Sequence, residues 1–201
     1  MKLIKPTSLA HFDERSKKHA IYSLDFQPGG DRLATGASDN SVKLWSVDAL
    51  NNLDNEGIGG EEEQSASQSS ALLATLSNHT KSVNVVRWSI DGEFLASGSD
   101  DCYVLVYRYS ADSLSTASFG SSASQAKNKE NWTRCATLQG HTMDILDLDW
   151  SPRGFLASAS IDNTIIIWDG KTIGVPGAPA IQNPLHILRD HNNYVKGVAF
   201  D

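Results

Sequence analysis

Apolar and polar residues alternate with a period of two along several short runs, and the runs recur. Residues Ile21–Trp45 read IYSLDFQPGGDRLATGASDNSVKLW, Val83–Tyr107 read VNVVRWSIDGEFLASGSDDCYVLVY, and Ile145–Trp168 read ILDLDWSPRGFLASASIDNTIIIW. Each opens on an alternating run that ends in an aromatic: Phe26, Trp88 or Trp150. A turn rich in Pro, Asp or Gly follows, then a short run built on Leu-Ala-Ser or Leu-Ala-Thr. A second turn holds an Asp, and a β-branched run closes on Trp or Tyr. Period-two alternation broken by turns at short, regular intervals predicts a meander of antiparallel strands. A further apolar run precedes each following repeat, at Leu72–Leu76, Arg134–Leu138 and Leu185–Leu188. Four strands per recurring unit define the blade of a β-propeller.

The expected fold is therefore all-β, a WD-repeat propeller that is incomplete. Repeat one spans about 17–47 with outer strand 72–76, repeat two about 79–109 with outer strand 134–138, and repeat three about 141–169 with outer strand 185–188. A fourth begins at about 191, and Phe200 takes the place of Trp88 and Trp150. About three blades and the first strand of a fourth are expected. The chain reads as truncated after that strand, with Met1 as its natural start and Lys2–Lys5 as a strand that completes the last blade of a closed ring. Trp88 follows Phe26 by 62 positions, Trp150 follows Trp88 by 62, and Phe200 follows Trp150 by 50. A repeat of this kind runs about 40–45 residues. The excess sits in two polar inserts, 48–70 and 110–131, whose composition predicts that they do not order themselves. Both lie between the third and fourth strands of a blade, so they project from one face, together with the connection 169–184.

Charge narrows the function. The chain has 201 residues, 17 Lys+Arg and 24 Asp+Glu, a net charge of −7. Six acids (Asp48, Asp54, Glu56, Glu61, Glu62, Glu63) fall in 48–70, which holds no Lys or Arg, leaving 18 acids against 17 bases elsewhere. Without a basic stripe to displace counterions from a phosphate backbone, direct nucleic-acid binding is not expected. No apolar run approaches the ~18 residues of a membrane span, and Pro6 with polar neighbours stands where a signal peptide needs an apolar stretch. Cys102 and Cys135 lack CxxC spacing and argue neither for zinc nor for a disulfide scaffold. Gly57-Ile58-Gly59-Gly60 is too short for a phosphate loop and precedes no helix signal. No metal or cofactor is expected.

The residues that invite a catalytic reading recur too. Repeat three aligns His141, Ser158, Asp162 and Trp168, repeat two His79, Ser97, Asp101 and Tyr107, and repeat one Thr35, Asp39 and Trp45. Ser, His and Asp suggest a nucleophilic triad, but an active site occurs once per domain, whereas a structural device occurs once per repeat. The expected role is a buried hydrogen-bond chain in which an imidazole joins a carboxylate to a hydroxyl that accepts the indole N–H. Lys17 stands nine residues before Phe26, where the His belongs, so the first network is expected to be incomplete. Tyr107 in place of Trp is expected to donate from a different position. His11, His19 and His186 read as isolated surface or loop residues. Glu61–Glu63 is a candidate site for a basic partner, though an acidic run in a polar insert is more often simply solvated. Phe119, in the second insert, is a candidate docking residue.

Beyond the repeat itself, the opening MKLIKP, VNVVRWS at 83–89, LASGSDD at 95–101, FGSS at 119–122, WTRC at 132–135, DNTIIIW at 162–168 and YVKGVAFD at 194–201 resemble the N-terminal part of the HIRA/Hir family of histone chaperones. FGSS is informative because no propeller constraint demands it. The resemblance implies a seven-bladed propeller, a long linker and a second conserved region. It implies a non-enzymatic platform in a nuclear complex that deposits histones independently of replication and represses transcription. It also implies a ubinuclein-type subunit as partner of the propeller, with histones and an Asf-type chaperone joining through the larger complex. The alternative is a WD-repeat scaffold of another class, such as a ubiquitin-ligase substrate adaptor, which an attached F-box segment would reveal. A propeller enzyme would need a single, non-repeating polar cluster, and the sequence offers none.

Overall fold

The computed structural model describes residues 9–12, 17–53, 71–111 and 128–201. The expected Lys2–Lys5 strand, Phe119 with its FGSS motif, Glu61–Glu63 and most of both inserts lie outside the described residues.

Each alternating run is a strand, and consecutive strands pair antiparallel. The first sheet is β3 (Ile21–Phe26), β4 (Arg32–Ala37), β5 (Val42–Ser46) and β6 (Leu72–Leu76). The second is β7 (Val83–Trp88), β8 (Phe94–Ser99), β9 (Tyr103–Ser110) and β10 (Asn131–Gln139), with the two-residue β14 (Ile181–Gln182) added parallel to β10. The third is β11 (Ile145–Trp150), β12 (Phe155–Ser160), β13 (Ile165–Asp169) and β15 (His186–Leu188). A small hairpin, β1 (His11–Phe12) with β2 (Lys18–His19), precedes the first sheet.

The sheets stack face to face. Ala34, Val42, Leu44, Ala74 and Leu76 of the first meet Leu95, Leu105 and Tyr107 of the second. The opposite face of the second sheet, with Ala96, Val104, Val106 and Leu138, meets Ile145, Leu148, Leu156 and Ile166 of the third. Each buried Val, Leu or Ile contributes about 1.5–3 kcal/mol. The tryptophan that ends the inner strand of the second and third sheets also ties its sheet to the one before. The Trp88 backbone N–H donates to Asp25 Oδ2 (2.7 Å) and its indole to the Asp25 carbonyl (3.2 Å). The Trp150 indole donates to the Arg87 carbonyl (3.2 Å). This serial stacking of four-stranded meanders is the propeller arrangement.

Several boundaries differ from expectation. The first insert does not begin disordered at residue 48: Val47–Leu53 form a helix, α1. Ser46 Oγ accepts from the Ala49 N–H (3.2 Å) and Leu50 is fully buried beside Leu33 and Trp45, so one apolar side chain in a capped turn anchors the segment. The second insert is shorter than 110–131, because β9 runs through Ser110 and β10 begins at Asn131 rather than Arg134. Asn131 and Trp132 pair with Ser110 and Tyr109, extending the ladder. The third outer strand begins at His186, not Leu185. Residues 194–200 join no ladder among the described residues, although Val198 N–H donates to Asp147 (3.2 Å) and Phe200 N–H to Asp149 (2.6 Å).

Two outer edges are filled by chain from the next repeat. Asn128 lays its side-chain amide against the β6 edge: Oδ1 accepts from Thr75 N–H (2.9 Å) and Nδ2 donates to the Thr75 carbonyl (3.3 Å), as a peptide group would. Lys129 and Glu130 N–H both donate to the Leu73 carbonyl (2.8 and 3.0 Å). On the second sheet, β14 does the same for β10, and Thr137 N–H donates to the Ala180 carbonyl (2.7 Å). Filling an edge removes the free N–H and C=O groups that invite pairing with other chains.

Candidate functional site

The recurring Ser/Thr, His and Asp residues come together once per sheet. In the third, His141 Nδ1 lies 2.9 Å from Asp162 Oδ2 and its Nε2 2.7 Å from Ser158 Oγ, which accepts from the Trp168 indole at 2.9 Å. With Nδ1 protonated toward the carboxylate, Nε2 accepts the serine proton, leaving the hydroxyl oxygen free to accept the indole. Thr164 Oγ1 adds a bond to Asp162 (2.6 Å), as does the Thr142 N–H (3.0 Å). In the second sheet His79 lies 2.9 Å from Asp101 and 2.7 Å from Ser97.

The first network is complete, which corrects the reading of both Lys17 and His11. His11 Nδ1 is 2.9 Å from Asp39 Oδ2, its Nε2 is 2.8 Å from Thr35 Oγ1, and Thr35 Oγ1 accepts from the Trp45 indole at 2.9 Å. Ser41 Oγ donates to Asp39 (2.8 Å), in the role of Thr164. Counting nine residues back from the aromatic fails because the β1–β2 hairpin lengthens the path from histidine to inner strand. Lys17 lies in the return of that hairpin, and His11 is fully buried. His19 Nδ1 lies 3.3 Å from Ser38 Oγ, and His186 is exposed on β15.

The sparse network is the second. Tyr107 is completely buried, and among the described residues its hydroxyl makes no hydrogen bond of normal geometry; Ser97 is near enough to favour the phenolate weakly by hydrogen bonding, against the larger effect of burial. The expected donation by this phenol is thus not made: the phenol carries its oxygen at the far tip of the ring, not on the flank where the indole nitrogen sits in the other sheets. Tyr103 also stands where Ser41 and Thr164 supply a hydroxyl, and only its backbone N–H reaches Asp101 (3.1 Å).

Burial and pairing set the protonation states. Burial pushes the His11 and His141 pKa values down from 6.5, against the pull of their aspartates. Burial alone would raise Asp39 and Asp162, but hydrogen bonds from Ser41 or Thr164, from backbone N–H groups and from the imidazoles outweigh it and hold both at about 2. Asp101 is lowered on the same balance. Thr35, Ser97 and Ser158 are wholly buried, so none of these hydroxyls can meet a substrate, whatever the triad-like spacing.

Turn geometry repeats with the networks. Asn40, Cys102 and Asn163 each follow the network aspartate and adopt positive φ (65°, 72° and 68°). Asn tolerates this left-handed conformation; Cys does so at a cost.

One further cluster escaped the sequence reading, because its members lie far apart in the chain. The Arg32 guanidinium grips Glu130 (2.8 Å), donates to Gln27 Oε1 (3.1 Å) and lies over the rings of Tyr109 (5.3 Å) and Trp132 (5.9 Å). Gln27 Nε2 in turn donates to the Gly92 carbonyl (2.7 Å). The cluster closes the junction of the first two sheets. At the next junction a cleft of about 560 Å³ opens, lined among others by Ile90, Phe94, Arg108, Trp150, Lys171 and Val175. Among the described residues no group of His, Cys, Asp and Glu is placed to hold a metal.

Stacked meanders with one histidine–aspartate network per sheet define a WD-repeat β-propeller. Residues 14–201 match the family model described as the CAF1B/HIR1 beta-propeller domain. The whole chain is 36% identical over 203 residues to Protein HIR1 of Aspergillus oryzae, covering 17% of that protein. It is 38% identical over 190 residues to a chromatin assembly factor 1 protein of Gallus gallus, across 92% of this chain and 30% of the relative. It is 42% identical over 149 residues to Protein HIRA of Oryza sativa subsp. japonica, across 74% of this chain and 14% of the relative. The chain belongs to the CAF1B/HIR1 β-propeller family. It spans less than a third of the length of each of these relatives.

Proposed function

We propose that the intact protein is a subunit of a nuclear histone-chaperone complex, and that this segment is a non-enzymatic docking platform within it. The observation that carries the reading is the family match across the chain, with relatives whose names include a chromatin assembly factor. The site geometry supports it from another side, since the triad-like hydroxyls are buried in repeated structural bonds. A rigid stack of sheets whose connections vary without disturbing the strands suits protein docking. The specific form of the proposal is Hir-type: deposition independent of replication, transcriptional repression, a ubinuclein-type subunit on the propeller, and histones and an Asf-type chaperone through the larger assembly. The four-stranded units extend to seven blades in the complete ring.

The similarity to the chromatin assembly factor 1 protein, over nearly the whole chain, favours a second form, in which the platform serves that assembly instead. Affinity purification of the intact protein from nuclear extract separates the two. Co-purification of a ubinuclein-type subunit supports the Hir-type form, and other subunits of chromatin assembly factor 1 support the second. Recovery of ubiquitin-ligase components without chromatin proteins overturns both.

A further inference from the structure

The two faces of the first sheet differ. One packs on the second sheet; the other carries Tyr22, Leu24 and Phe26, each about half exposed, whereas the equivalent strand β7 is largely buried. Lys43 lies on that second face. It pairs with Thr35 in the ladder, as Leu105 pairs with Ser97 and Ile166 with Ser158. Leu105 and Ile166 are almost completely buried against the preceding sheet. Lys43 is itself only 9% exposed, although none of the sheets among the described residues covers it. Its ammonium has no hydrogen bond or ion pair among the described residues. Among the described residues the carboxylate that attracts it is Asp39, which is committed to His11 and Ser41.

We infer that the sheet covering this face in the intact propeller presents a carboxylate to Lys43, whereas Leu105 and Ile166 at the equivalent positions meet apolar side chains. The occupant follows from continuity: the same face of the second and third sheets is covered by a neighbouring sheet of the same protein, and the propeller family supplies one here. The chemistry follows from the charge. Covering removes the remaining water from the ammonium, and a buried cation without a partner is strongly unfavourable, so the covering surface must supply the opposite charge. Lys43 then distinguishes this sheet from the other two described, which carry Leu105 and Ile166 at the same ladder position.

The test is thermal unfolding of the full-length protein carrying Lys43→Leu, Lys43→Met or Lys43→Arg. With a carboxylate opposite, Leu and Met strand that charge and lower the propeller's midpoint by at least about 5 °C, while Arg stays near wild type. Leu restores the residue that the second sheet uses at this position, and Met keeps the length of the lysine, so the pair separates loss of charge from loss of fit. A midpoint unchanged or raised in Leu or Met overturns the inference, because it means that the ammonium reaches solvent past an apolar cover.

Discussion

Asp39 and Asp162 occupy the same point in two complete networks, each holding a buried imidazole, a hydroxyl and backbone N–H groups. Replacing either by Ala leaves a buried histidine without its acceptor, and each change is expected to cost about 1–3 kcal/mol. Asp101 supports a network that lacks both the indole and the extra hydroxyl, so Asp101→Ala should cost less. Urea denaturation of the intact protein ranks the three; a smaller loss at Asp39 than at Asp101 would contradict the geometry. The orphaned hydroxyl of Tyr107 gives the opposite kind of expectation: Tyr107→Phe removes an unmade hydrogen bond at nearly constant shape and should leave stability unchanged or raise it by up to about 1 kcal/mol. Cys102→Asn places at φ 72° the residue used at the equivalent turns, and a gain of about 1 kcal/mol in the same assay is expected.

At the scale of elements, the Arg32 cluster fastens the segment before β10 to the edge of β6. Arg32→Ala removes the grip on Glu130, and amide hydrogen exchange at Lys129 and Glu130 should accelerate on the order of tenfold, a loss of about 1.4 kcal/mol of local protection. Unchanged exchange would show that Asn128 alone holds the edge. These contacts mark the limit of what the sequence discloses. Twelve of the thirteen strands in the three sheets were legible because period-two alternation is written into each segment, and the Asp and Ser/Thr positions because they recur at fixed offsets from a strand aromatic. His11 was hidden by a hairpin too short to carry a pattern of its own. β14 and residues 128–130 were hidden for a related reason: a pairing of two or three residues is decided by the edge it meets, not by its own side chains. The cap and single buried leucine of α1 were likewise too local to stand out within a polar insert.

For the whole molecule, the network pKa values set the response to acid. His11 and His141 are depressed below 6.5, so their contribution is complete above that pH and declines as the pH falls through their folded values. Asp39 and Asp162 are depressed from 3.8 to about 2, so theirs is complete above about 4 and lost between there and about 2. Urea midpoints measured from pH 8 downward should therefore fall in two stages, and a flat profile from pH 7 to 3 would contradict the buried imidazoles. The filled edges have a consequence for biogenesis. The outward groups of β6 are covered only when Asn128 arrives, 52 residues after Leu76. At a synthesis rate of ~5–20 residues per second, that is a wait of roughly 3–10 s during which a finished sheet leaves the ribosome with a sticky flank. The first two sheets are thus sealed in the order in which they are translated, each shut by chain from the unit that follows.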